Sequence, residues 1–503
     1  MNTEDLVAGA FRCNAGSTDA LAEAARAGES VPTSTPMGLL LCAMPLVGHV
    51  TPLLPLAREL VGRGHTVHFY TGARFREQVE NTGAQFETMS DALDPGKRPL
   101  ESFLPELREL TGIAQLKYAL KRFFIDSGHG QVSDLRRIVP RVQPHALVVD
   151  SSFRGAALLH ELGEGPPWVA VNIFPLMLSS RDTAPFGPGF LPMPGRLGRL
   201  RNAVLQELAA RILMRDVVLH ANAQRATLGL PPRTELVFDA ALSPFLYLQA
   251  GVASLEYPRS DLAPQVHFVG PMTDPPSGDP QDLPPWWEDL VSSDRPVIHI
   301  TQGTANTDPE ELLIPALRAL ADENVLVVAT TGGPGIDTLG PLPANARAAQ
   351  FIPHAALLPH IGVMVTNGGY GGVLRALAHG IPLVVAGATQ DKPEVANRVQ
   401  FARAGVNLRT GTPTQAAIRQ AVRRVLTDPS FRRGAQAIAD DIARHRGARA
   451  AADLIGSLVA TGRPVHRSPA VTSDPVPDQH PRRGTRKRAI RQAARRQAGG
   501  ASR

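Results

Sequence analysis

The segment 363–380 constrains the fold more than any other part of the chain. Val363 to Val365 is a short apolar run that ends at Thr366 and passes directly into Asn367-Gly368-Gly369-Tyr370-Gly371-Gly372. A helical pattern follows, with Val373, Leu374, Ala376 and Leu377 apolar, and closes at Gly380. A run this short and this apolar reads as a strand buried on both faces. A buried strand that turns through glycines into a helix belongs to a parallel α/β sheet. The turn leaves bare N–H groups at the positive end of the helix, which suits a phosphate or diphosphate. The same glycines would serve a turn that is needed only for tight packing.

The pattern recurs along the chain. Residues 38–44 form a fully apolar run, 45–52 a loop, and 53–61 a stretch of helical spacing closed by Arg63-Gly64-His65; a strand follows at 66–70. Strands continue at 147–150 and 168–172, interrupted by amphipathic segments around 100–124 and 200–228 and by a Pro/Gly/Ser-rich surface loop at 178–197. A second series begins at Pro296, with a strand to Ile300, a helix over 309–321 and a strand over 325–329. Between the two series, residues 271–285 are a stiff linker by composition. The expected class is α/β, with two Rossmann-like doubly wound domains facing across a cleft. They span 37–270 and 286–461, the second carrying C-terminal helices that break at Asp428-Pro429. A ligand belongs at the carboxyl ends of the strands. The leader 1–36 and the tail 462–503 read as disordered.

Composition narrows the function. A chain of 503 residues with 43% hydrophobic content buries more than one core. Its two cysteines, Cys13 and Cys42, exclude a disulfide scaffold and make a reducing cytoplasm the default. Net charge is +6, but from Arg463 onward 11 Lys/Arg face two Asp. The tail therefore carries +9 and the rest −3, so nucleic acid is not an expected partner of the body. The tail reads as solvated, with at most a weak contact to a membrane surface. The most apolar region, 37–57, is broken by His49, Thr51 and three prolines, so no transmembrane helix or signal peptide is expected.

Several polar residues fall at strand ends. His49 follows the first strand at the start of a helix, either as a structural histidine or as a general base. Asp150 ends a buried strand at the same sheet edge, either orienting His49 or capping the helix from Gly155. Gly303 and Thr304 follow the first strand of the second half, where a backbone and a hydroxyl can approach a phosphate. Asp391 and Lys392 follow a strand over 382–385, either as ligands of sugar hydroxyls or as a solvated pair.

Two sets of these motifs resemble the UDP-glycosyltransferase-like family of the glycosyltransferase B fold, of the macrolide and natural-product type. Gly48-His49-x-x-Pro52, with Leu56-Ala57 and Arg63-Gly64-His65 behind it, is similar to the family's N-terminal signature. Phe351-x-Pro353-His354, Leu358-Pro359-His360, Thr366-Asn367-Gly368-Gly369 and Asp391 are similar to its donor-binding signature. The resemblance implies an inverting, metal-independent hexosyltransferase. His49 would deprotonate the acceptor and Asp150 would orient it. Phe351 would stack on the nucleobase, and Gly303, Thr304, His354 and the loop Asn367, Gly368, Gly369, Gly371, Gly372 would hold the donor. The chain contains no Asp-x-Asp. The partners implied are a UDP- or dTDP-sugar and a small hydrophobic acceptor, with no further cofactor, and the enzyme is a monomer or homodimer.

Three positions depart from the family. Asn367 replaces the usual histidine, Arg375 stands where glutamate often contacts ribose, and Lys392 follows Asp391 where glutamine is usual. Arg cannot accept from ribose hydroxyls, so Arg375 is expected near the diphosphate, supplying the charge that Asn367 lacks. The alternatives are a nucleotide-sugar epimerase of the same fold and a non-catalytic nucleotide-sugar-binding helper.

Overall fold

The structure is a computed structural model that describes residues 36–468 apart from 91, 97, 99, 111, 274–282 and 304–307. Cys13, Thr304, most of the linker, the leader to residue 35 and the tail from residue 469 lie outside the described residues. The described residues to His466 belong to one compact unit.

Two parallel sheets organise it. The first holds β1 (Gly38–Cys42), β2 (Thr66–Thr71), β3 (Gln85–Thr88), β4 (Ala146–Asp150), β5 (Trp168–Asn172), β6 (Leu246–Gln249) and β7 (Val266–Phe268). Their order is 3-2-1-4-5-6-7. The second holds β8 (Val297–Thr301), β9 (Leu326–Thr330), β10 (Ala346–Ala349), β11 (Val363–Thr366), β12 (Leu383–Val385) and β13 (Gly405–Asn407), in the order 10-9-8-11-12-13. Apolar runs such as Leu39–Cys42 and Leu326–Ala329 are buried on both faces because helices cover both sides of each sheet.

The longer helices are α1 (Leu54–Gly62), α2 (Ser127–Val142), α3 (Gly155–Glu161), α4 (Gly195–Leu208), α5 (Arg215–Thr227), α6 (Leu313–Leu320), α7 (Tyr370–Ala378), α8 (Lys392–Phe401), α9 (Gln415–Thr427), α10 (Pro429–Ala443) and α11 (Ala448–Thr461). Asp428 separates α9 from α10 by accepting the Ser430 N–H. In each sheet the order reverses beside the first strand. Strands β1 and β4 are neighbours, as are β8 and β11, and their outgoing loops diverge. Such switch points open crevices at the carboxyl ends.

Three features differ from the sequence expectation. The helical stretch around 100–124 is broken into short turns, a helix Gly112–Ala119 and a wide turn Leu120–Ile125, with Pro105 opening one of the short turns. The loop before α4 is more than a surface loop, since Leu178, Ser180 and Thr183 are buried. Finally, α11 packs on the first half: Ala451, Ile455 and Leu458 share a core with Leu56 and Leu60, and Arg63 donates to Asp453 at 2.7 Å. Helical periodicity fixes which face of α11 is apolar, not which sheet it covers.

A buried ionic clamp also joins the halves. Arg398 of α8 donates to Glu256 at 2.7 Å, to Glu394 at 2.7 Å and to the Leu176 carbonyl at 3.3 Å. Burial opposes the charge, but Glu256 and Glu394 outweigh it and raise the guanidinium pKa. Glu394 in turn accepts the Gly187 and Gly189 N–H groups, and Asn397 donates to the Gly189 carbonyl at 2.6 Å. The loop before α4 is thereby fastened to α8.

Candidate active site

His49 lies on a helical turn (Val47–Val50) that continues through Thr51–Leu53 into α1. Its ring is buried, with Phe174 edge-on at 5.3 Å and Phe124 at 5.8 Å between centroids. Nδ1 lies 3.1 Å from an oxygen of Asp150. Asp150 ends β4 and is fully buried. The Met44 and Ser152 amides each donate to its carboxylate at 2.7 Å. A carboxylate only accepts, so Nδ1 carries a proton, and in the neutral ring the lone pair falls on Nε2. Nε2 has no hydrogen-bond partner among the described residues.

The capping alternative for Asp150 does not hold. Arg154 precedes α3, and the Arg154 and Gly155 amides donate to Gln131 at 3.0 and 2.8 Å. Sequence reasoning missed Gln131, a polar residue on α2 with no local signal of what it meets.

Neutral groups tie together the loops of the second crevice. Gln302, just past β8, is buried; it accepts the Leu313 N–H at 2.8 Å and donates to the Asp308 carbonyl at 2.7 Å. Gly303 has φ +70°. Asn367 ends β11's exit and donates to the Gln302 carbonyl, while its oxygen accepts the Gly369 N–H at 3.4 Å. One Asn367 N–H is therefore spent bridging the two loops. Gly368 has φ +87°, and a Cβ there would fall 2.7 Å from Val385. This turn aims the first amides of α7 (Tyr370, Gly371, Gly372) into the crevice, where a helix offers them no acceptor. Arg375 folds back toward that end, with Nη1 3.9 Å from where a Gly371 Cβ would stand.

His354 and His299 flank this crevice. Burial, Arg375 and His379 lower His354 to about 4. His299 of β8, missed in the sequence, sits 6.5 Å from His354 between ring centroids and donates to or accepts from Thr330 at 3.1 Å. Burial and His354 lower it to about 3. A histidine inside the otherwise apolar run 297–300 was the signal available. Phe351 is 62% exposed, an open ring at the edge of this half.

Asp391 and Lys392 follow β12 and open α8. Lys392 is buried and donates to Gln390 at 3.1 Å and Thr389 at 3.3 Å, so the two are not a solvated pair. Gln390 holds φ +58°, an uncommon conformation for a residue with a side chain. Asp391 is the N-cap residue of α8, but its side chain makes no cap hydrogen bond. Burial raises its carboxyl pKa, and Lys392, His49 and Arg398 work against the rise. The influence of His49 places Asp391, from the second half, within electrostatic reach of the buried histidine of the first. Tyr370 crosses between the halves as well, its hydroxyl leaving no room for a Cβ at Gly251.

Two doubly wound parallel sheets, each with a polar crevice at the carboxyl ends of its strands, are the architecture of the glycosyltransferase B fold. Sequence comparison agrees. The profile of the glycosyltransferase family 28 N-terminal domain matches residues 46–136, and that of the erythromycin biosynthesis protein CIII-like C-terminal domain matches residues 312–455. The chain is 48% identical to 4'-demethylrebeccamycin synthase of Lentzea aerocolonigenes over 396 residues, 78% of this chain and 93% of that one. It is 32% identical to UDP-glycosyltransferase 2 of Phaeomoniella chlamydospora over 419 residues, covering 79% and 90%. The crystal structure of the calicheamicin glycosyltransferase CalG4 shares the fold at TM-score 0.64 and 23% identity, covering 85% and 99%. The chain belongs to the UDP-glycosyltransferase-like family and is a glycosyltransferase of the natural-product type, moving a sugar from a nucleotide sugar. The epimerase and helper alternatives are therefore set aside. Among the described residues no helix is long and apolar enough to cross a membrane.

Proposed function

We propose that the enzyme transfers a hexose, with inversion and without a metal ion, from a UDP- or dTDP-sugar to a hydroxyl of a small lipophilic acceptor. The observation that carries this is the His49–Asp150 contact, which leaves Nε2 as a lone-pair acceptor. The acceptor hydroxyl gives its proton to Nε2, and its oxygen bonds to the anomeric carbon. The carbon–oxygen bond to the diphosphate breaks on the opposite face, and its electron pair leaves with the diphosphate. The first amides of α7, with Arg375 and Gly303, receive that charge through fixed dipoles. Asp391 accepts from sugar hydroxyls, and Phe351 stacks on the base. Phe124 and Phe174 give the acceptor side an apolar wall beside His49.

The name of the Phaeomoniella relative supports a UDP donor, and the absence of Asp-x-Asp from the chain supports metal-free transfer. The reading adds no cofactor beyond the nucleotide sugar and places the enzyme in a reducing cytoplasm, which suits the buried free thiol of Cys42. The test is transfer from a panel of UDP- and dTDP-hexoses with chelator present, the product's anomeric configuration being read by NMR. Retained configuration, or a folded His49→Ala variant with full activity, defeats the proposal.

A further inference from the structure

Helix α4 is built inside out. Its buried positions are Gly198 and Asn202, continued by Ala209 in the wide turn Ala209–Leu213 that follows. Its solvent face carries Leu197, Leu200, Val204 and Leu208, continued by Ile212, all between 45 and 74% exposed. The spacing of three and four residues puts these side chains on one stripe. The arrangement is locked. A Cβ at Gly198 has no room beside the Met193 carbonyl, and buried Asn202 donates to the Arg181 carbonyl at 3.1 Å. Turning the helix to hide its leucines would break both contacts. Soluble monomers rarely leave such a stripe uncovered unless something docks there.

The charge beside the stripe says what docks. Residues 195–215 hold five arginines against one glutamate. Arg196 and Arg215 are exposed on the solvent side of the same run, and exposed Arg211 pairs with Glu207 at 2.5 Å. A second copy related by a two-fold axis would set these arginines against one another. An apolar stripe edged by arginine is instead the pattern of a helix that lies in the interface of an anionic bilayer.

We propose that α4 is a docking face for an anionic lipid surface. The stripe enters the acyl boundary and the arginines meet the headgroups. The face also adjoins the acceptor side. Ala209 packs with Leu120 and Ile125, and Phe124 from that same turn lies against the His49 ring. Docking would therefore bring a bilayer-dissolved acceptor close to the base. That use rests on the transfer reading above, whereas lipid binding does not.

The test is sedimentation of the full chain with vesicles of phosphatidylcholine, alone and mixed with phosphatidylglycerol, at low and high salt. The wild type is expected to pellet with the mixed vesicles and to keep part of its binding at high salt. The variant Leu200→Glu/Val204→Glu is expected to lose about tenfold or more in partition. It should remain folded and transfer sugar to a water-soluble acceptor at the wild-type rate. No binding by the wild type overturns the proposal, as does undiminished binding by the variant. Binding wholly abolished by salt assigns it to charge alone and overturns the apolar face. Light scattering that shows a wild-type dimer split into monomers by the two substitutions would put a second copy on the stripe and overturn it too.

Discussion

At the switch point of the first sheet, β1 and β4 diverge around His49 and Asp150. At that of the second, β8 and β11 diverge around Gln302 and Asn367. The backbone opens the same kind of crevice twice, and the side chains give the two crevices opposite chemistry. The first holds a buried carboxylate, tolerated because two amides and an imidazole N–H satisfy it. The second has its carboxylate, Asp391, in the loop after β12 rather than at its two diverging strands. Its loops are tied by a neutral amide, its two histidines are depressed, and its positive charge comes from Arg375 and the α7 terminus. On the proposed reading one crevice takes a proton and the other an anion. The difference shows how a repeated fold divides labour: topology supplies the place, and a few residues at strand ends supply the reaction.

The contrast is tested hardest at His49. His49→Ala is expected to lower kcat by about 10²–10⁴-fold, the usual worth of a positioned general base. The donor KM should stay near its wild-type value, because the ring lies in the first crevice. A steady-state assay over both substrates reads this. A fall confined to donor KM would mean that the two crevices are not separate in function. Next in size is Arg375→Ala. Losing a charge-assisted contact to a diphosphate should weaken UDP binding about tenfold or more by calorimetry. Unchanged affinity would remove Arg375 from the anion seat and leave the α7 amides to act alone.

Much of this contrast could be read before the fold was known. The runs around β1, β4, β8 and β11 are apolar on both faces, so their burial, and hence the strand-end position of His49, Asp150, Gly303 and Asn367, follows from periodicity. What could not be read were partners chosen by tertiary packing. Asn367 spends an N–H on a carbonyl 65 residues away, a partner that no local pattern marks. Arg398 and Glu256 lie 142 residues apart, and neither carries a local mark of the clamp they form. The leucines of α4 show a helical period, and the ordinary inference places such a stripe inward. Only the contacts of Gly198 and Asn202 reveal that it faces out.

A smaller effect is expected from Gly368→Ala, which sharpens the claim that the second crevice is set by backbone shape. The left-handed backbone and the approach to Val385 together should cost about 2 kcal/mol in urea unfolding. Donor affinity should fall as the α7 amides are displaced. A variant of wild-type stability that binds UDP normally would show that the turn is not the determinant.

The smallest effect is a pH dependence that belongs to the second crevice. His354 is held near 4, below its ordinary 6.5, so the unfolded chain binds more protons between those values. The neutral ring therefore adds stability that is fully present above about pH 6.5 and is lost as pH falls toward 4. Allowing for its partial exposure, roughly 1 kcal/mol is at stake. Urea unfolding at pH 7 and pH 4.5 should show a larger drop for the wild type than for His354→Asn. The buried His299 acts with the same sign, so a residual slope should survive the substitution. If the diphosphate sits beside His354, its negative charge opposes the influence of Arg375 and raises the ring. UDP binding near pH 5 would then take up a proton, visible as a heat that changes with buffer ionisation enthalpy and vanishes in His354→Asn. Equal heats in all buffers would place the diphosphate away from His354 and confine the anion seat to α7 and Arg375.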